Sequence, residues 1–472
     1  MAHHDGPFGS CSNLITLDQA LTLSKKDTVD LSNRHLNTSL VTLLSLINFD
    51  TLFVKAQGAS VFDEQGNEFL DFLGGYGSLN LGHNHPEIFE AVQKVSHLPN
   101  ILQAAINNIP AALARNLAEL APGNLNKAFF CNSGAESVEG ALKLAKITTG
   151  RKKIIYCHNS FHGKTIGALS VTGREKYQAP FKPLLEECIG IPFGDLSSLK
   201  DQLSPGDGAA FIVEPLQGEG GIIEPPPLYI SKAKKLCSQY GTLFIADEVQ
   251  TGLGRTGDLF ACQLEGVSPD ILCLAKSLGG GLMPIGAYIT TDDIWRKAYG
   301  TMDKALLHTS TFGGNTLACA AALKTLEVTV RDELHLQARE KGSYFIGRLR
   351  QLKEKYPLLK DVRGRGLMIG IEFQQPPADK KYFLRFTMNV VNKLIQEFMG
   401  SLVAGELFNK HRIITAYTLN NPNVIRLEPP LTVTREQIDL VLEALESVLA
   451  NHSGFMSMVG SGTANLLQKI RK

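Results

Sequence analysis

The sequence predicts an α/β protein, with a large domain on a mainly parallel central sheet and a smaller α+β domain. Three observations carry that expectation. At 472 residues the chain is too long for one simple core. Between about Asn100 and Val330, short β-rich runs alternate with helical ones: "KAFFCN" then "SVEGALKLAKI", then "KKIIYC", "AAFIVEP", "TLFIADE" and "DILCLA". Such alternation belongs to a sheet flanked by helices, whose ligands gather beyond the carboxyl ends of the strands. After about Gly342 the pattern changes, which marks a second unit.

Taken in order, residues 1–50 form a polar, irregular N-terminal segment with a helical patch. Residues 51–99 begin the smaller domain, and "VFDEQGNEFLDFLGG" reads as a hairpin around "EQGNE" followed by a strand. Residues 100–341 make the large domain. Residues 342–454 read as a helix, "VRGRGLMIGIEF" as one glycine-punctuated strand, a long helical stretch, the strand "NVIRLEPPL", and a closing helix from Thr434 to His452. This second domain also has room for the N-terminal part. Residues 455–472 are a surface tail.

Composition narrows the function. The chain is 44% hydrophobic and 20% charged, and Lys plus Arg total 47 against 46 for Asp plus Glu. A net charge of +1 gives no electrostatic reason to expect nucleic acid or an acidic membrane as partner. A small-molecule ligand is expected. The eight cysteines are scattered without CxxC pairing, several within apolar runs, and read as reduced core cysteines of a cytoplasmic protein without a metal site. The start "MAHHDGPFGSCSN" lacks the basic-then-apolar pattern of a signal peptide. No charge-free run approaches the roughly 18 residues of a membrane span.

Five segments at the predicted strand ends carry chemistry. In "CNSGAESVEGALKLAK" a strand gives way to a helix at Ser133, Gly134 and Ala135. The turn suits either a phosphate, through free N–H groups and the helix dipole, or a plain Ser133 N-cap. In "TLFIADEVQTGLGRTG" an apolar strand ends on Asp247 and Glu248, which are costly there without a cationic partner, unless a strand-end acid caps the next loop. In "PDILCLAKSLGGGLMPIGA" the next apolar strand ends on Lys276, beside three glycines. A buried carboxylate, a lysine and a phosphate cradle on neighbouring strand ends are the parts that hold a phosphorylated pyridine aldehyde. "NSFHGKTIGALSVTG" adds Phe161 and His162, where the ring either stacks on a flat cofactor or fills the core. "HTSTFGGNTLACAAA" adds Thr309, Ser310 and Thr311 before two glycines and a helix, as a cap or a further phosphate donor.

The ordered set "SGAE", "FHGKT", "VEPLQGEGG", "ADEVQTGLGRTG", "LAKSLGGGLMPIGA", "STFGGN" and "RLEPPL", from roughly Gly58 to Val448, resembles the class III (ω-) aminotransferases. These are fold-type I enzymes dependent on pyridoxal 5′-phosphate. Within the family the phrasing is most similar to the putrescine aminotransferases and, more distantly, to the ornithine and acetylornithine enzymes. The resemblance implies Lys276 as the Schiff-base lysine and Asp247 as partner of the pyridinium nitrogen. It further implies Val249 and Phe161 on the two ring faces, Gln250 at the ring hydroxyl, and Ser133, Gly134 and Ala135 at the phosphate, with His162 beside the cofactor. Thr311 is implied to reach the cofactor phosphate of a neighbouring subunit in a homodimer or a dimer of dimers.

For the substrate, the resemblance implies Arg426 as the anchor of a keto-acid carboxylate and Glu219 as its partner when an amine is bound. Tyr76 lines the pocket, or is a core tyrosine. Lys164 departs from the arginine of ornithine-type enzymes and cannot give the same bidentate grip on an α-carboxylate. That favours a diamine, putrescine first, as amino donor and 2-oxoglutarate as acceptor. Other ω-aminotransferase donors, and aminomutases or racemases that need no keto acid, are the alternatives.

Overall fold

The computed structural model describes residues 14–46, 49–102, 104–374 and 399–452. Among the described residues, fifteen strands fall into three sheets. The first joins β1 (Phe53–Gln57), β2 (Ser60–Asp63) and β3 (Glu68–Asp71). The second contains β4 (Lys127–Cys131), β5 (Lys153–Cys157), β6 (Cys188–Ile191), β7 (Gly208–Val213), β8 (Leu243–Asp247), β9 (Ile271–Leu274) and β10 (Gly286–Thr290). The third contains β11 (Leu359–Arg365) and β12 (Met368–Phe373). β14 (Ala416–Tyr417) and β15 (Val424–Leu427) complete it, and β13 (Ile413–Ile414) joins the first sheet.

The central sheet has the order β4-β10-β9-β8-β7-β5-β6. From β9 to β6 every pairing is parallel, whereas β10 runs antiparallel to both β9 and β4. The sheet is therefore mainly parallel, as expected, with one reversed strand. Its two faces carry separate cores: Ile155, Phe211, Phe244 and Leu272 pack on one side, Ile154, Ile212, Ile245 and Ile271 on the other. Burial on both faces explains why these strands read as continuous apolar runs.

Two further sheets hold the second unit. One has the order β11-β12-β15-β14, and the other has the order β1-β2-β3-β13. Because β13 pairs in parallel with β3, the segment before the large sheet folds together with the segment after it. The hairpin at "EQGNE" forms as expected: Asp63 Oδ1 accepts from the Gln65 and Asn67 N–H groups, and Gly66 takes a positive φ of 78°. The expected single strand "VRGRGLMIGIEF" is instead a hairpin of β11 and β12. Gly366, at φ 54°, turns the chain where a continuous strand was expected. The N-terminal segment is more helical than its polar sequence suggested, with helices Leu17–Leu21, Lys25–His35 and Thr38–Leu46. The closing helix is Arg435–Ala450, capped by Thr434. Part of the expected long helical stretch and the tail 455–472 lie outside the described residues; helix Met399–His411 is the described part.

Candidate active site

Beyond the carboxyl ends of the central strands lies a cavity of about 220 Å³. Gly134 and Ala135, Phe161 to Gly163, Glu214, Glu219, Asp247, Val249 to Thr251 and Lys276 line it. Each comes from the exit of a parallel strand or from β4, so strand order alone brings together residues far apart in sequence.

Helix Gly134–Thr149 begins at the cavity wall. Ser133 is its N-cap, its Oγ accepting from Glu136 N at 3.2 Å. The amides of the first turn have no partner within the helix and face an N-terminus of positive potential. Only a small residue fits here, since a Cβ on Gly134 would lie 2.8 Å from Val249 Cγ1. The two readings of this turn are thus compatible: Ser133 caps with its side chain, which leaves the cradle to backbone N–H groups.

The two carboxylates ending β8 diverge. Asp247 Oδ2 meets His162 Nδ1 at 2.6 Å, and Oδ1 accepts from Val249 N at 3.1 Å. Glu248 turns away, accepting from the Ala261 and Cys262 amides at 2.7 and 2.8 Å and from Thr251 Oγ1 at 3.0 Å. It is satisfied without a cation. Next to Asp247 lies Glu214, which the sequence reasoning missed. Its oxygens accept from Phe161 N at 2.9 Å and Gly218 N at 3.1 Å, joining the histidine loop to the loop that carries Glu219. Burial, with Asp247 adding to it, pushes the Glu214 carboxyl up to about 7 against the lowering pull of His162. The signal was present in "VEPLQGEGG", where an acid follows a buried strand.

Lys276 follows β9 at φ 48°, a left-handed conformation that is uncommon outside glycine. Its side chain is half-buried, its open surface lining the cavity. Burial pushes its pKa below the ordinary lysine value, opposed by Glu428, Glu219 and Asp247. The glycines after it serve packing: a Cβ on Gly280 would lie 2.6 Å from Thr325 Oγ1, and one on Gly281 would overlap Leu79.

The opposite wall comes from β15. Arg426 is fully buried, with Nη2 2.6 Å from Glu219 Oε2 and Nη1 3.6 Å from Glu428 Oε2. Its Nε has no hydrogen-bond acceptor among the described residues. Glu219 and Glu428 thus hold its charge at close range. Glu219 also accepts from Leu419 N at 2.8 Å. Burial works to raise the Glu219 pKa, yet Arg426, the Leu419 amide and Lys276 together hold it low. Glu428, the second acid missed, takes Gln250 Nε2 at 3.1 and 3.2 Å. The same nitrogen donates to Tyr76 O at 3.1 Å, so the Gln250 amide is already engaged on the protein.

Tyr76 is partly exposed at φ 56°, its ring 5.3 Å from the Arg426 guanidinium. Lys164 is exposed, its Nζ 5.9 Å from the Phe161 ring and 5.3 Å from the Tyr177 ring, and it is not among the residues lining the cavity. Thr311 is also exposed and stands outside that lining. Ser310, beside it, accepts from Asn132 Nδ2 at 3.2 Å, which ties the "STFGGN" loop to the cradle of its own chain. The structure therefore brings Gly134, Ala135, Phe161, His162, Asp247, Val249, Gln250, Lys276 and Glu219 to one cavity, with Ser133 and Arg426 directly behind. It leaves Tyr76, Lys164 and Thr311 outside that lining, with the Tyr76 ring against the Arg426 guanidinium.

Residues 46–449 match the model of the class III aminotransferases. The chain belongs to this family. It is 41% identical over 463 residues to the aminotransferase PigE of Serratia sp. (strain ATCC 39006), covering 92% of this chain and 54% of that protein. The chain thus spans about half the length of that curated relative. Among solved structures, ornithine aminotransferase from Toxoplasma gondii ME49 superposes with a TM-score of 0.80 at 31% identity, over 92% of this chain and 97% of the other. A second structure of the Toxoplasma gondii enzyme has partial occupancy of pyridoxal phosphate at its active site. An amine transaminase from an uncultivated Pseudomonas species, in its cofactor-bound form, gives 0.75 at 28% identity, over 85% and 94%.

The chain accordingly has the fold-type I architecture of that family, and its cofactor is pyridoxal phosphate. The residues fit that group. A side-chain-free helix N-terminus suits the phosphate, a carboxylate held by a buried histidine suits a protonated ring nitrogen, and a lysine of lowered pKa suits an aldehyde. Among the described residues no helix is long and apolar enough to cross a membrane.

Proposed function

We propose that this aminotransferase moves a terminal amino group from a diamine, putrescine foremost, to 2-oxoglutarate, giving an amino-aldehyde and glutamate. The observation that carries the reading is the fully buried Arg426 paired with the cavity-lining Glu219. An arginine so placed offers a bidentate fork to a carboxylate, while Glu219 masks its charge when the ligand has none. Lys164 supports the donor assignment, because an exposed ammonium over two aromatic rings gives no bidentate grip on an α-carboxylate.

Bound pyridoxal phosphate supplies an aldehyde to an amine and a ring that accepts carbanion electrons. The chain does the rest. The amides of Gly134 and Ala135 hold the phosphate, and Asp247, fixed by His162, keeps a proton on the ring nitrogen. Lys276, poised by burial to lose its proton, carries protons to and from the substrate carbon. Thr311 completes the phosphate site of a second copy in a homodimer, which its exposure supports.

The similarity to PigE supports a second reading, an ω-aminotransferase acting on another amine or aldehyde. A panel of diamines, monoamines and ornithine, each tested with and without 2-oxoglutarate, decides between them. Putrescine should give the highest kcat/KM, with strict dependence on the keto acid. Preference for ornithine would replace the diamine reading, and turnover without a keto acid would point to a mutase or racemase.

A further inference from the structure

We infer that Glu428 is a specificity-determining residue, a fixed carboxylate behind the Arg426–Glu219 pair that biases the site against carboxylate ligands and toward cationic amines. The inference rests on Arg426 being the keto acid's anchor. Its starting point is that one guanidinium faces two acids, at 2.6 and 3.6 Å, where a simple switch needs one.

The two acids are built differently. Glu219 lies between Gly218 and Gly220, with Gly221 at φ 117°, and it lines the cavity. Glu428 is wholly buried and precedes Pro429 and Pro430. Its N–H donates to Phe72 O at 2.7 Å, and a Cβ on Gly74 would overlap its carbonyl oxygen. Arg255 Nη1 holds the next carbonyl, Pro429 O, at 2.5 Å. Gln250 holds the carboxylate itself. One acid sits on a glycine-flanked segment open to the cavity, and the other is locked.

A carboxylate ligand that takes the place of Glu219 on Arg426 still meets the field of Glu428. In a buried, weakly screened site that like charge opposes its binding. A cationic donor meets the opposite sign, with both acids on its side. Glu428 also heads the charges that favour a protonated Lys276, so its field extends to the amine end of the cavity. The residue acts as a built-in penalty on carboxylates, which Arg426 alone would bind more tightly.

Glu428→Gln removes the charge and keeps the shape. In the cofactor-loaded enzyme, glutarate, a dicarboxylate with no keto group, is titrated by calorimetry. The amine half-reaction with putrescine is followed separately by stopped-flow absorbance. Glu428→Gln should bind glutarate about three- to tenfold more tightly and raise the half-saturating putrescine concentration by a similar factor. Opposite signs are the signature, since a merely structural role would damage both. Glu428→Met tests the same loss of charge if the amide variant does not fold. Unchanged or weaker glutarate binding in the folded variant, with Arg426→Ala abolishing it, overturns the role of Glu428 and leaves the arginine reading standing. If Arg426→Ala leaves glutarate affinity intact, the arginine reading falls, and this inference with it.

Discussion

The two walls of the cavity are made in different ways. The cofactor wall, Gly134, Ala135, His162, Asp247 and Lys276, comes from strand exits of one sheet buried on both faces. The substrate wall pairs Glu219, which follows β7, with Arg426 and Glu428 of the second unit, more than 200 residues later. The first is locked by neighbouring strands and close glycine contacts. The second is an electrostatic balance between units, with one buried arginine set between two acids. Fixed chemistry stands on one wall and exchangeable recognition on the other.

Lys276→Ala should produce the largest effect and should not distinguish the halves of the reaction. Turnover should fall by several orders of magnitude in both, because covalent exchange and proton transfer go together. Borohydride should fix the cofactor on Lys276 in the wild type, read by peptide mapping. An adduct on another lysine would move the cofactor wall elsewhere.

Glu214 sharpens the same wall through pH. Its folded carboxyl keeps its proton up to about 7, whereas the ordinary value is 4.5. The folded state therefore binds more protons across that window. The stabilisation is fully present below the unfolded value and is lost as pH rises through the folded one. Glu214→Gln should remove this dependence, so that between pH 5 and pH 8 the wild type loses on the order of 2–3 kcal/mol relative to the variant. Denaturant titrations of cofactor-stripped protein at both pH values check this. Parallel profiles would mean that Glu214 is ionised throughout.

The smallest effect belongs to Lys164. At an exposed cation–π site its loss is worth about 0.5–1 kcal/mol of stability, and Lys164→Ala should leave the KM for putrescine within about a few-fold of wild type. A hundredfold rise would place this lysine on the substrate after all.

This contrast also separates what could be read in the sequence from what could not. The cofactor wall was legible because each piece is local. An apolar strand ending on Asp247 or Lys276, or a small-residue turn opening a helix, carries its chemistry within a dozen residues. The alternation of strands then fixed their shared end. Register and partner choice were not local, which is why "VRGRGLMIGIEF" read as one strand instead of a hairpin. The capping reading of the acids after β8 holds for Glu248, but its partners, the Ala261 and Cys262 amides, were not local either. Nothing near Glu428 announces that it stands behind Arg426 and holds Gln250. That follows from the side chain's position after β15 meeting the loop after β8, and only tertiary packing supplies it.

The separation of the two walls is tested most directly by Arg426→Ala in stopped-flow absorbance. Cofactor-loaded enzyme is mixed with putrescine, and the aminated form is mixed with 2-oxoglutarate. Loss of the buried arginine should weaken the keto-acid half-reaction by about 2–5 kcal/mol while the amine half-reaction stays much closer to the wild-type rate. Equal damage to both halves would contradict this account, since the donor would then also bring a carboxylate to Arg426.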